Sequence, residues 1–217
     1  MKLKKFSVLT LLLVAGLASA TSYNFRLPSK GLTVAAAPAV PPTVAWGTPD
    51  NPGITVGADG LTLTYPATNY GSVIVNAAGK KTTGKWYWEL TPTGNVKNVI
   101  LGLSNVSYMA GVYPQDDTGT GGSMCGPGYC NAAATPGFTY ASGNTIGVAY
   151  DAAALSFQVY RNNVPLNQPI SMSGYPGSYG PALKVWNTMS GPLTVVANFG
   201  SKPFVYTPPT GYTKLEP

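Results

Sequence analysis

Few residues in this chain could do chemistry. Its 217 residues include seven Asp and Glu, thirteen Lys and Arg, two Cys and no His. Without His, no Ser-His-Asp or Cys-His nucleophile system and no His-ligated zinc hydrolase can be built. Glycoside hydrolysis remains, and it needs two carboxyls facing one bond. The acids are Asp50, Asp59, Glu89, Asp116, Asp117, Asp151 and Glu216. Glu89 has no acid at positions 87 or 91, its neighbours on one face of a strand. Asp151 ends a strand at a hairpin turn, where Asp is a common turn former. Asp116-Asp117, beside Gly and Thr, could offer oxygens to calcium but lacks the rest of a calcium loop, so it reads as a solvated pair. No catalytic residue, metal or cofactor is expected.

Cys125 and Cys130 bracket Gly-Pro-Gly-Tyr. In an oxidising compartment they are expected to pair, closing a short loop. Zinc would need further Cys or His ligands, and there are none. The remaining candidates are for binding. Tyr70, Tyr108 and Tyr113 fall in segments that read as loops, where aromatic side chains serve either as contacts or as local packing.

The elements that must position these residues are strands. In Gly84-Lys85-Trp86-Tyr87-Trp88-Glu89-Leu90, alternation puts Trp86, Trp88 and Leu90 on an inward stripe and Tyr87 and Glu89 on the other face. Further strand signals cover Thr43–Trp46, Ile54–Val56, Leu61–Tyr65, Ser72–Asn76, Lys85–Thr91 and Asn98–Ser104. They resume at Thr145–Asp151, Leu155–Tyr160, Ala182–Trp186 and Leu193–Phe199. Gly, Asn and Pro punctuate them, as in an antiparallel β-sandwich. Leu155–Tyr160 and Val164–Leu166 form a hairpin, with Asn162-Asn163 supplying positive φ at the turn and Pro165 marking an edge strand. Asn105–Phe138 is Gly-rich with few strand signals and reads as one long loop, a length usually tied to function.

The start of the chain reads as an export signal. Lys2, Lys4 and Lys5 precede an apolar run from Phe6 to Leu17, and Ala18-Ser19-Ala20 forms a small-residue site with cleavage between Ala20 and Thr21. The run is too short to span about 30 Å of hydrocarbon, so no lasting membrane insertion is expected. Loss of the three leader lysines lowers the net charge from +6 to +3. The remaining cations are scattered apart from Lys80-Lys81, which argues against a nucleic-acid partner. Residues 21–42 are a short extended segment followed by an Ala/Pro-rich linker, and residues 43–217 are the sandwich.

Four segments in order resemble the SPRY family. Ser72–Leu90 is similar to its strand, turn and Gly-Lys-aromatic strand, and Ile100-Leu101-Gly102-Leu103-Ser104 to its Val-Gly-Val strand. Gly143–Leu166 resembles its strand leading into a hairpin, and Asn198-Phe199-Gly200-Ser201-Lys202-Pro203-Phe204 its terminal Asn-Phe-Gly-x-x-Pro-Phe. Asn144 stands where the family often has Asp, and Arg161-Asn162-Asn163 replaces its Asn-Gly turn. The texture resembles SPRY modules of bacteria and their phages more than cytosolic animal forms. The resemblance implies an all-β, concanavalin-like two-sheet sandwich. It also implies that Val185-Trp186-Asn187, similar to a Val-Trp-Gly segment that contacts peptides in some members, lies in the ligand site; a Trp packed under the loops is an equal reading of Trp186, and Asn187 departs from the Gly of that pattern.

The resulting expectation is a non-enzymatic, secreted, periplasmic or surface protein that binds a protein or glycan through loops at one end. One alternative is a structural surface or virion component docking through residues 21–42, with self-assembly possible. A glycoside hydrolase is the third.

Overall fold

The computed structural model describes residues 44–66, 73–114, 122–126, 129–130, 139–166, 168–185 and 191–215. The export signal, Ala20, Thr21 and the segment 21–42 lie outside the described residues. In chain order the strands are β1 (Thr55–Val56), β2 (Thr62–Tyr65), β3 (Val73–Asn76), β4 (Lys85–Gly94), β5 (Val99–Ser104), β6 (Met109–Pro114), β7 (Gly122–Gly126) and β8 (Tyr129–Cys130). They continue with β9 (Ile146–Asp151), β10 (Ser156–Arg161), β11 (Val164–Pro165), β12 (Ile170–Ser171), β13 (Gly180–Val185), β14 (Leu193–Asn198) and β15 (Thr213–Lys214).

Two sheets form. One runs β1-β2-β14-β4-β9-β10-β11, with β12 beside β10 and β15 beside β4; the other runs β3-β13-β5-β6-β7-β8. All pairings are antiparallel except β15 with β4. Side-chain alternation explains how the sheets stack. Trp88 and Leu90 of β4, Ile146 and Val148 of β9, and Leu101 and Leu103 of β5 are all buried in one core between the sheets. Full burial of each such side chain contributes roughly 1.5–3 kcal/mol.

The inward stripe of β4 is shorter than its sequence suggests. Trp88 is fully buried, but Trp86 is only half-buried at the rim. There its Nε1 donates to the Thr83 carbonyl at 2.6 Å, and the Lys81 ammonium sits 4.1 Å from the ring centre.

The other face of β4 is not open to solvent, because the C-terminal segment crosses it. Phe204 packs edge-on against Tyr87, with ring centres 5.0 Å apart. Glu89 accepts from the Val205 and Tyr206 N–H groups at 2.8 and 2.9 Å. The Tyr87 ring lies across Gly147, where any Cβ would strike it. An unsubstituted residue is therefore needed beneath that ring.

Most strand positions match the sequence reading to within a residue or two. The β10–β11 turn has Asn162 and Asn163 at φ 49° and 68°, the left-handed pair that a type I′ turn needs. Pro165 lies in β11, at the end of the sheet order. Two expectations are corrected. Of the expected strand Thr43–Trp46, the described residues 44–46 form an isolated bridge between Trp46 and Ala77 rather than a strand. Asn105–Phe138 is not one loop, because β6, β7 and β8 extend the second sheet within it.

Candidate functional site

Strand registers define the two ends of the sandwich. At one end Val185 partners both Val73 and Val99, and Pro114 partners Gly122. In the facing sheet Leu193 partners both Tyr65 and Gly94. The short link 95–98 joins Gly94 to Val99, so these strand ends lie together. The connections 66–72, 115–121 and 186–192 therefore leave the sheets at the same end.

A fourth segment, residues 139–145, is pinned there. The Tyr140 hydroxyl donates to the Val99 carbonyl at 2.7 Å, Gly94 N–H donates to Ser142 Oγ at 3.0 Å, and the Arg161 guanidinium donates to the Thr139 carbonyl at 2.9 Å. Asparagines complete the scaffold. Asn144 Oδ1 accepts from Ala141 N–H at 2.8 Å, and Asn162 Oδ1 from Thr145 N–H at 2.9 Å. Such bonds let short loops hold a fixed shape over rigid strands. At Gly94, φ is +96° and a Cβ would collide with the Pro192 carbonyl, so only glycine brings the two loops this close.

The sequence candidates divide between the ends. Tyr113 is at the loop end, its hydroxyl donating to Asn98 Oδ1 at 2.6 Å, and burial raises its pKa. Val185 is there too, but its side chain is 1% exposed and belongs to the core. Tyr70, Trp186 and Asn187 lie outside the described residues; the structure fixes Tyr65, Val73 and Val185, from which their segments depart. Tyr108 lies at the opposite end, between β5 and β6, packed edge-on against Tyr175 with ring centres 4.9 Å apart. Cys125 and Cys130 are direct partners across β7 and β8. Sequence reasoning missed Asn98, Asn144, Arg161 and Asn162 as builders of the loop end. The signal for the three asparagines was the clustering of Asn at strand boundaries.

Each described carboxyl with a defined partner serves the fold. Asp59 accepts from Leu61 N–H, Thr62 Oγ1 and Thr62 N–H, which hold its pKa below the ordinary carboxylate value. For Asp151, partial burial pushes the pKa up, but the Ala154 N–H and Lys85, whose Nζ is 3.3 Å away, outweigh it and leave the pKa lowered. Asp116, Asp117 and Glu216 lie outside the described residues. Among the described residues, no three acidic, Cys or His side chains gather as a metal site would require.

No protein-family model matches the chain, and a search of curated proteins finds no match. Solved structures do match. The TRIM65 PSpry domain aligns with a TM-score of 0.51 at 16% identity, covering 71% of this chain and 91% of that one. The fold is that of a SPRY domain. The SPRY domain of human HERC1 aligns with a TM-score of 0.47 at 14% identity, over 66% of this chain and 91% of its own. At 16% identity the likeness to the TRIM65 PSpry domain speaks for the architecture alone.

Proposed function

We propose that this chain is an exported, non-enzymatic binding module that takes a protein ligand on the loop end of its SPRY-type sandwich. The observation that carries this reading is that the strand ends Tyr65, Val73, Pro114, Gly122, Val185 and Leu193 lie at one end of the sheets, beside the pinned segment 139–145. A rigid scaffold carrying clustered loops is the arrangement that recognition by shape requires. Among the described residues, Asp59, Asp151 and Glu89 are engaged in turns, an ion pair and the C-terminal crossing, which supports a binding role over hydrolysis. Export would follow cleavage between Ala20 and Thr21. In that setting Cys125 and Cys130 would form a disulfide, supported by their direct cross-strand register and by the absence of a free cysteine among the described residues.

The test selects ligands for the chain from a peptide library and a glycan array, then measures affinity for variants. Trp186→Ala should weaken binding of a selected peptide at least tenfold, about 1.4 kcal/mol. Tyr108→Ala, at the opposite end, should leave it unchanged. The reverse pattern would move the site to the other end, and selection of glycans alone would replace the protein ligand with a sugar.

A further inference from the structure

The end of the sandwich opposite the loop end carries an apolar tip beside aromatic rings and lysines. The β5–β6 hairpin turns there through Asn105-Val106-Ser107-Tyr108. Its amides are all bonded. Asn105 N–H donates to the Tyr108 carbonyl at 3.2 Å and Val106 N–H to Ser104 Oγ at 2.9 Å. Ser107 and Tyr108 N–H donate to Asn105 Oδ1 at 3.0 and 2.8 Å. This braced turn holds Val106 outward, 63% exposed and outside both buried clusters. Val106 also has φ 88°, a conformation that suits Gly or Asn and is costly for a β-branched residue. A strained, exposed valine that packs nothing points to a role outside the fold.

Contacts lead from this tip across both sheets. Tyr108 packs on Tyr175, whose carbonyl accepts the Tyr179 hydroxyl at 2.8 Å. Tyr179 exchanges backbone hydrogen bonds with Lys81, and the Lys81 ammonium covers Trp86. Lys80 lies against Gly180, which partners Ser104 at the base of the turn. Lys85 pairs with Asp151 and sits 5.7 Å from the Tyr212 ring centre. Three lysines stand against one acid in this set of contacts, which leaves it cationic. Tyr175, Trp86 and Tyr212 are each partly exposed.

The complement of such an end is a bilayer surface. Acyl chains take an aliphatic tip, headgroups take the edges of phenol and indole rings, and anionic phosphates take ammonium groups carried on apolar stems. A soluble acidic glycan would meet the lysines but leave Val106 without a partner. A protein pocket would want a ring as its anchor, and here Tyr108 is packed on Tyr175 while Trp86 lies under Lys81.

We propose that this end docks on an anionic phospholipid surface, with Val106 entering the outermost acyl layer and Lys80 and Lys81 meeting lipid phosphates. Contact through one tip is peripheral and reversible, unlike a spanning segment. It turns the loop end of the sandwich away from the membrane and toward solution.

The test is co-sedimentation with vesicles of phosphatidylcholine alone or in equal parts with phosphatidylglycerol. The leader run Phe6–Leu17 would itself enter bilayers, so the protein is used in its exported form beginning at Thr21. It should bind the anionic vesicles and not the neutral ones. Val106→Gly should stay folded, because glycine adopts this φ freely, yet bind about tenfold more weakly, the worth of one buried valine side chain. Lys80→Gln with Lys81→Gln should weaken binding roughly twentyfold, whereas Lys97→Gln, at the loop end, should bind like the parent. If the lysine pair variant fails to fold, added salt on the unaltered protein makes the same measurement, since it should release the vesicles. Equal binding to neutral vesicles, no binding to anionic ones, or a folded Val106→Gly that binds like the parent would overturn the proposal. So would a selected peptide ligand whose affinity falls in Val106→Gly, which would make the tip a protein site.

Discussion

Glu89→Ala should detach the C-terminal segment from the sheet. Glu89 is 2% exposed, and its two oxygens accept the Val205 and Tyr206 N–H groups at 2.8 and 2.9 Å. A hydrogen bond to a charged, buried acceptor contributes about 1.5–3 kcal/mol. Removing the carboxyl deletes both of these bonds and the longer one from the Tyr87 hydroxyl at 3.3 Å, and leaves two N–H groups without their acceptor, so a loss of roughly 3–5 kcal/mol is expected. Glu89→Gln keeps the shape and one oxygen but turns an NH₂ toward a donor, and should cost roughly 2 kcal/mol. Urea denaturation gives the totals. Hydrogen exchange locates them, because the amides of residues 204–214 should lose protection before those of β9. The Tyr87 phenol supplies a separate readout. Burial raises its pKa far above the usual value, and the adjacent Glu89 charge adds to the rise. In Glu89→Ala the phenol should therefore titrate at lower pH while staying above its ordinary value. A Glu89→Ala protein within about 0.5 kcal/mol of the parent, with unchanged exchange at residues 204–214, would refute the reasoning.

Trp88→Ala should cost roughly 3–5 kcal/mol, because a fully buried indole leaves a cavity between the sheets; a melt close to the parent's would place Trp88 outside the core. The lowered pKa of Asp151 makes its contribution fully present above the unfolded value near 4 and lost as the pH falls through the folded value. Asp151→Asn should therefore destabilise at neutral pH and flatten the loss of stability below about pH 4; an unchanged acid slope would count against it. Cys130→Ser should cost up to about 2 kcal/mol. Mass spectrometry of unreduced protein should show two fewer hydrogens than the dithiol form, and two freely alkylated thiols would exclude the bond.

The parts of the fold that could be read from sequence are those set by local rules. Trp88 and Leu90 alternate with Tyr87 and Glu89, Asn162-Asn163 can hold positive φ, and Pro165 cannot serve a central strand; each follows from a few neighbouring residues. The role of Glu89 is of another kind. Its backbone partners are 116 and 117 residues further along the chain, and one carboxyl between Trp88 and Leu90 gives no local sign of them.

The loop end was harder to read because of the parity of strands. Each strand carries the chain from one end of the sandwich to the other, so the end at which a loop lies depends on every strand before it. In β6, Met109-Ala110-Gly111-Val112-Tyr113-Pro114 does alternate, with Ala110 and Val112 in the core. However, Gly111 interrupts the apolar signal and Pro114 ends it early. In β7, Gly122 and Gly126 flank three residues of weak strand preference. Treating 105–138 as one loop merged connections that lie on opposite ends. Tyr108 precedes β6 and Tyr113 lies near its far end, so a single unread strand is enough to move one of them to the wrong side of the molecule. β13 is legible in the sequence, and its register with β3 and β5 fixes the end of the sheets at which Val185 lies. A sequence-based site in a β-sandwich is thus only as sound as its least regular strand, and here that strand is β6.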